Sequence, residues 1–134
     1  MQNFSIIGIW ILRLLAAIIL FQTLYFKFSA APESIYIFSK IGMEPWGRIG
    51  TGIFELVAGI LILIPATTVF GALLAIALMS GAIFFHLTKL GISVQNDGGQ
   101  LFIYALVVFV SSIALVAIYR SDLAEVKNIL TKST

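Results

Sequence analysis

A chain of 134 residues in which 60% are hydrophobic and 10% charged departs from a soluble domain, where about a quarter of residues carry charge. The formal charge of +2 is too small for a nucleic-acid binder and suits a protein beside anionic lipid. With no cysteine, disulfides, thiolate metal sites and thiol catalysis by the chain's own residues are excluded.

The length fits one domain of four membrane crossings at about 20 residues each. The apolar runs place them at about residues 6–28, 48–64, 69–87 and 101–119. The start, MQNFS, has no positive charge and Arg13 interrupts the first run, so this segment reads as a retained span and not a cleaved signal. Arg13, Ala16, Ala17, Leu20, Leu24 and Lys27 share one broad helical face, with Gln22 on another. Lys27 can snorkel at the far end. Arg13 sits a turn or two inside the near end, either as a structural intramembrane charge or as a snorkelling one.

The connection 29–45 is long. Pro32 suits a first helical position, Ile35, Phe38 and Ile41 recur at threes, and Gly42 can end the helix. A short amphipathic helix lying in the interface is expected, with Trp46 at headgroup level. This end of the bundle is the loop side.

The second span carries Glu55 inside its apolar run. An ionised carboxylate there costs roughly 2.5–3.5 kcal/mol on insertion scales unless it faces the bundle, a wet cavity or a partner. Arg48, Gly52, Glu55 and Gly59 follow at steps of four, three and four, so they share a face. Glycine on either side lets a helix or ligand come close. Glu55 is then a functional group, or a structural one paired with Arg48 or a lysine of the first span.

Only PATT separates spans two and three, which makes them antiparallel neighbours. Span three sets Gly71, Ala75, Leu78, Ala82, Phe85, His86 and Lys89 along one stripe. GISVQNDGGQ is a polar turn region, and span four lines up Tyr104, Val108, Ser111 and Leu115. In the tail, Leu123, Val126, Ile129 and Leu130 have helical spacing, with Asp122 as N-cap and Glu125 three residues on, so an amphipathic surface helix is expected.

Four crossings put both termini on one side and the first connection on the other. At 1.5 Å per residue, Gln22 lies roughly 8 Å and Glu55 about 9 Å from the loop-side ends of their spans, and His86 and Tyr104 roughly 5 Å. These four are the candidate ligand-binding residues of a polar pocket. Lys27, Arg48 and Lys89 are placed at its mouth as charge partners, with Glu33, Glu44 and Asp97 in the loops above. The plainer alternatives are an interfacial His86, a Tyr104 in the aromatic belt and a Gln22 bonding between helices. A single histidine without cysteine makes no zinc or haem set. No phosphate-cradling loop or Ser-His-Asp context occurs, so catalytic residues stay unassigned. Such a pocket can hold a polar head, such as a quinone carbonyl pair, with the tail between helices, or it can relay protons.

The chain resembles the DoxX family of small four-span membrane proteins. The resemblance rests on Arg13 and Lys27 bracketing span one, LYFKF at 24–28, the Gly42-Met43-Glu44-Pro45 segment of IGMEPWGRIG, and Gly52-x-x-Glu55-x-x-x-Gly59. It covers about residues 6–119 and implies a four-helix membrane bundle. Some members of that family are subunits of thiosulfate–quinone oxidoreductase or partner redox enzymes; distant relatives act in assembly or trafficking. It also implies a bacterial inner membrane with cytoplasmic termini; the lysines and arginines split evenly between the two sides, so charge alone sets no orientation.

The expected fold is all-α: an integral-membrane four-helix bundle, up-down-up-down, with an interfacial helix in the first loop and an amphipathic C-terminal tail. The expected function is binding of a lipid-soluble ligand, with a quinone as candidate, around Glu55, as accessory to a membrane redox or stress-response system. Membrane lipid and a redox enzyme subunit are the expected partners, and a homo-oligomer is compatible. Two rivals stay open: a proton-coupled exporter using Glu55, and a non-catalytic assembly factor.

Overall fold

A computed structural model of the chain describes residues 6–95 and 97–120. Five α-helices follow one another: α1 (Ile6–Phe28), α2 (Pro32–Lys40), α3 (Trp46–Leu63), α4 (Thr68–Phe85) and α5 (Gln100–Ile118). A 3₁₀ turn at Pro65–Thr67 precedes α4, and a π turn at His86–Leu90 extends it. Four segments are long and apolar enough to cross a membrane: α1, α3, Pro65–Leu90 and α5. They form a ring in which α1 packs on α3 and α5, and α4 on the same two. The surface tail expected at 120–134 lies outside the described residues beyond Arg120.

Small residues make the interior and large apolar ones the exterior. Ala16, Ala58, Ala72 and Ala75 are fully buried, while Ile7, Ile11, Ile18, Ile53 and Val110 are exposed. Only a lipid solvent suits that inversion of the soluble pattern. Backbone meets backbone at Gly71, where a β-carbon would lie 2.6 Å from the Ile62 backbone nitrogen and 2.8 Å from the Ala58 carbonyl oxygen. The glycines flanking Glu55 receive aromatic rings of α1: Phe28 against Gly52 and Phe21 against Gly59.

Pro65 ends α3 because it has no N–H and forces Ile64 into extended backbone (ψ 118°). The carbonyls thereby orphaned are taken up by side chains. Thr67 Oγ1 donates to Leu61 O at 2.9 Å and Thr68 Oγ1 to Ile62 O at 3.0 Å. Arg13 Nε donates to Ile62 O at 2.9 Å and Arg13 Nη2 to Leu63 O at 2.6 Å. The Arg13 guanidinium also lies 3.9 Å from the centre of the Trp10 ring. Arg13 is 2% exposed, so the snorkelling alternative is set aside: it closes the end of α3.

At the loop side, α2 begins at Pro32 and ends in a left-handed Gly42 (φ 76°). Met43 N donates to Phe38 O at 2.7 Å and Gly42 N to Ser39 O at 3.1 Å, a Schellman closure. The inward face differs from the expected one. Ser34 and Phe38 are buried and Ile35 is 37% exposed, because the face running through Ser34, Ile37, Phe38 and Ile41 is the one turned to the cavity below.

Candidate functional site

Beneath α2 lies a cavity of about 390 Å³, lined by residues of all four spans, of α2 and of the loop before α5. Gln22, Glu55, His86 and Tyr104, the four expected ligand-binding residues, all line it, as does Lys27.

Glu55 is the most buried charge on the cavity wall, 2% exposed. Its Oε1 lies 2.9 Å from Lys27 Nζ, and its Oε2 accepts from Thr23 Oγ1 at 2.9 Å and from Lys27 Nζ at 3.3 Å. Thr23 also lies 2.9 Å from Leu20 O, so its one proton serves either the carboxylate or that carbonyl. Of the two pairings open in the sequence, the lysine of span one is the partner. Thr23 is absent from the sequence reading, although its spacing of four from Lys27 puts the two side chains on one face.

Arg48 and Lys89 do not stand at the mouth. Arg48 is buried: its Nε lies 2.9 Å from Glu44 Oε1 and 3.1 Å from Oε2, and its Nη1 donates to the Lys27 carbonyl. It therefore closes the end of α1 and holds the backbone that carries Lys27. Lys89 is exposed and off the cavity wall. The π turn explains this, because a bond spanning five residues shifts the azimuth and brings Leu90 inward instead.

His86 is 5% exposed, with its ring edge-on to Phe102 at 5.5 Å. Its Nδ1 lies 3.0 Å from the Gly91 carbonyl oxygen. A carbonyl only accepts, so Nδ1 carries the proton and Nε2 is an acceptor on the neutral ring. The left-handed backbone of Gly91 (φ 81°) turns the loop back beneath it.

Tyr104 accepts from Gln100 Nε2 at 2.8 Å, one turn earlier on α5, which leaves its own proton for a ligand. Asp97 is more than a loop charge: Oδ1 accepts from Val94 N at 2.9 Å and Gly99 N at 2.8 Å, and Oδ2 from Leu101 N at 3.3 Å. Burial pushes its carboxyl up, but the three backbone donors and the field of His86 outweigh burial, and it stays below its ordinary value.

Lys27, Thr23 and Glu55 thus make a polar floor joining α1 to α3, and His86 and Tyr104 supply an acceptor and a donor from α4's extension and α5. Against this geometry, the DoxX family model matches residues 8–88, more than half of the chain. The chain belongs to the DoxX family. Comparison with curated proteins and with solved structures gives no match. The DoxX match spans Arg13, Lys27, Glu55 and His86, while Asp97 and Tyr104 lie beyond it.

Proposed function

We propose that this DoxX-family membrane protein binds a lipid-soluble ligand in the loop-side cavity, as accessory to a membrane redox or stress-response system. One observation carries the reading: the 390 Å³ loop-side cavity has a polar floor and mostly apolar walls. A head group lies at Lys27–Glu55, His86 and Tyr104, and the tail lies among residues such as Ile19, Leu78 and Val108.

A quinone fits this donor set. The free Tyr104 proton and the Lys27 ammonium suit its carbonyls, and when bound it would supply two-electron redox chemistry to a partner enzyme. The ion pair favours binding over proton-coupled export, because Glu55 must release Lys27 before it can trade a proton for substrate.

Tyr104→Phe removes the one proton aimed at a carbonyl without disturbing Glu55. It is expected to weaken binding of decylubiquinone to the purified protein about fivefold to tenfold, with insertion intact. Unchanged affinity for the quinone counts against the site.

A further inference from the structure

The charges on the cavity wall are unbalanced. Glu33, Glu55 and Asp97 line it against one lysine, Lys27, and one histidine, His86, so by formal charge the wall carries a negative surplus whether the imidazole is neutral or protonated. Lys27 is already committed to Glu55. Asp97 is held by backbone N–H groups, which satisfy its oxygens without cancelling its charge. Glu33 is exposed and has no bonding partner among the described residues. The other nearby cations give no relief: Arg48 is bound to Glu44 and off the wall, Lys89 is exposed and off the wall, and Lys40 lies over the Tyr36 ring.

Two polar side chains on the wall also have bonding capacity to spare. Ser34 is 6% exposed, and no group among the described residues bonds its hydroxyl. His86 is 5% exposed and its hydrogen bond to Gly91 is through Nδ1, so Nε2 is free to bond a ligand. The surplus of negative charge calls for a ligand that brings a positive charge. The rings of Phe26, Phe38 and Phe85 on the same wall suit a cation as well.

We propose that the cavity selects amphiphiles by head-group charge, binding a protonated amine ahead of a neutral head and excluding a carboxylate. This rests on the ligand-binding reading above and adds the chemical class of the preferred ligand. A carboxylate entering the site meets the like charges of Glu33 and Asp97, which repel it. The low-dielectric surroundings enlarge that penalty.

The test uses the full chain in a neutral maltoside micelle at pH 7 and low ionic strength, with dodecylamine, 1-dodecanol and dodecanoate as tail-matched probes. Calorimetric titration is expected to rank them in that order, with the amine about tenfold or more tighter than the carboxylate. Glu33→Gln, at an exposed and unbonded position, is expected to cut that ratio about threefold. Lys89→Gln changes charge off the wall and is expected to leave the ratio alone. Dodecanoate binding as tightly as the amine overturns charge selection, as does an unchanged ratio in Glu33→Gln or an equal change in Lys89→Gln; the binding reading survives all three. If none of the probes binds, the ligand-binding reading falls and charge selection with it.

Discussion

The α1–α3 pair is closed at both ends by an arginine of one helix bonded to the last carbonyls of the other, and the two ends differ in everything else. At the terminal side Arg13 holds Ile62 and Leu63, Thr68 shares the load, and Val69, Ala72 and Ile62 pack the space without exposure. At the loop side Arg48 holds Lys27 in the same manner, but beside it lie a second ion pair and a cavity. Orphaned carbonyls account for a buried arginine at each end. They do not account for Lys27 and Glu55, which bond side chain to side chain where an apolar pair would pack as well. The closed end is a structural solution; the hollow end spends polar groups beyond what closure needs.

Removing the closure at the solid end should have the largest effect. Arg13→Leu loses two charge-assisted bonds and leaves Leu63 O without this donor, for about 4 kcal/mol of stability. Arg13→Lys should recover only part, since one ammonium cannot reproduce the planar fork. Unfolding in detergent, followed by circular dichroism, reads both. A loss under about 1 kcal/mol would show that water replaces the guanidinium and that this end is not closed as described.

At the hollow end, Lys27→Met leaves Glu55 buried without its counter-ion. The lysine side chain is 15% exposed, so the cost falls toward the low end for a broken buried pair, about 3 kcal/mol. The double variant Lys27→Met/Glu55→Leu should recover most of that stability and still bind quinone poorly. Recovery of stability and of binding together would make the pair a packing feature with no role in the site.

Which of these features the sequence discloses follows from how local their causes are. Pro32, Gly42 and Pro65 act on their own backbone, and they mark the limits of α2 and the end of α3 from sequence alone. The common depth of Gln22, Glu55, His86 and Tyr104 follows from helix rise, and all four line one cavity. Arg13 finds its carbonyl partners about fifty residues away, across a helix crossing that periodicity does not encode. Lys89 is expected at the mouth because three residues after His86 is the same face of an α-helix, and a π turn has no comparable signature in the residues. Glu44 and Arg48 carry a legible signal, four residues apart, but the shared helical face sets Arg48 against Glu55 and leaves Glu44 in the loop.

Glycine substitutions sharpen the comparison with smaller effects. At the solid end a β-carbon on Gly71 meets backbone of α3, so α3 and α4 must separate, and Gly71→Ala should cost about 2 kcal/mol. Near the cavity a β-carbon on Gly52 meets only the Phe28 ring at 2.7 Å, and Phe28 is itself exposed, so Gly52→Ala should cost about 1 kcal/mol or less. Equal losses in thermal unfolding would remove the distinction between a rigid and a yielding end.

The smallest effect concerns the loop that roofs the cavity. Asp97→Ala removes three backbone bonds at the start of α5, for about 1 kcal/mol, in the range of a lost helix cap. Because the folded carboxyl sits below its ordinary 3.8, its contribution is fully present above that value and is lost only as pH falls through the lower folded value. Between pH 7 and pH 5 the stability gap between the parent chain and Asp97→Asn should therefore stay constant, closing only in stronger acid. A gap that closes near pH 6 would place the titrating group elsewhere and remove Asp97 from the control of the cavity roof.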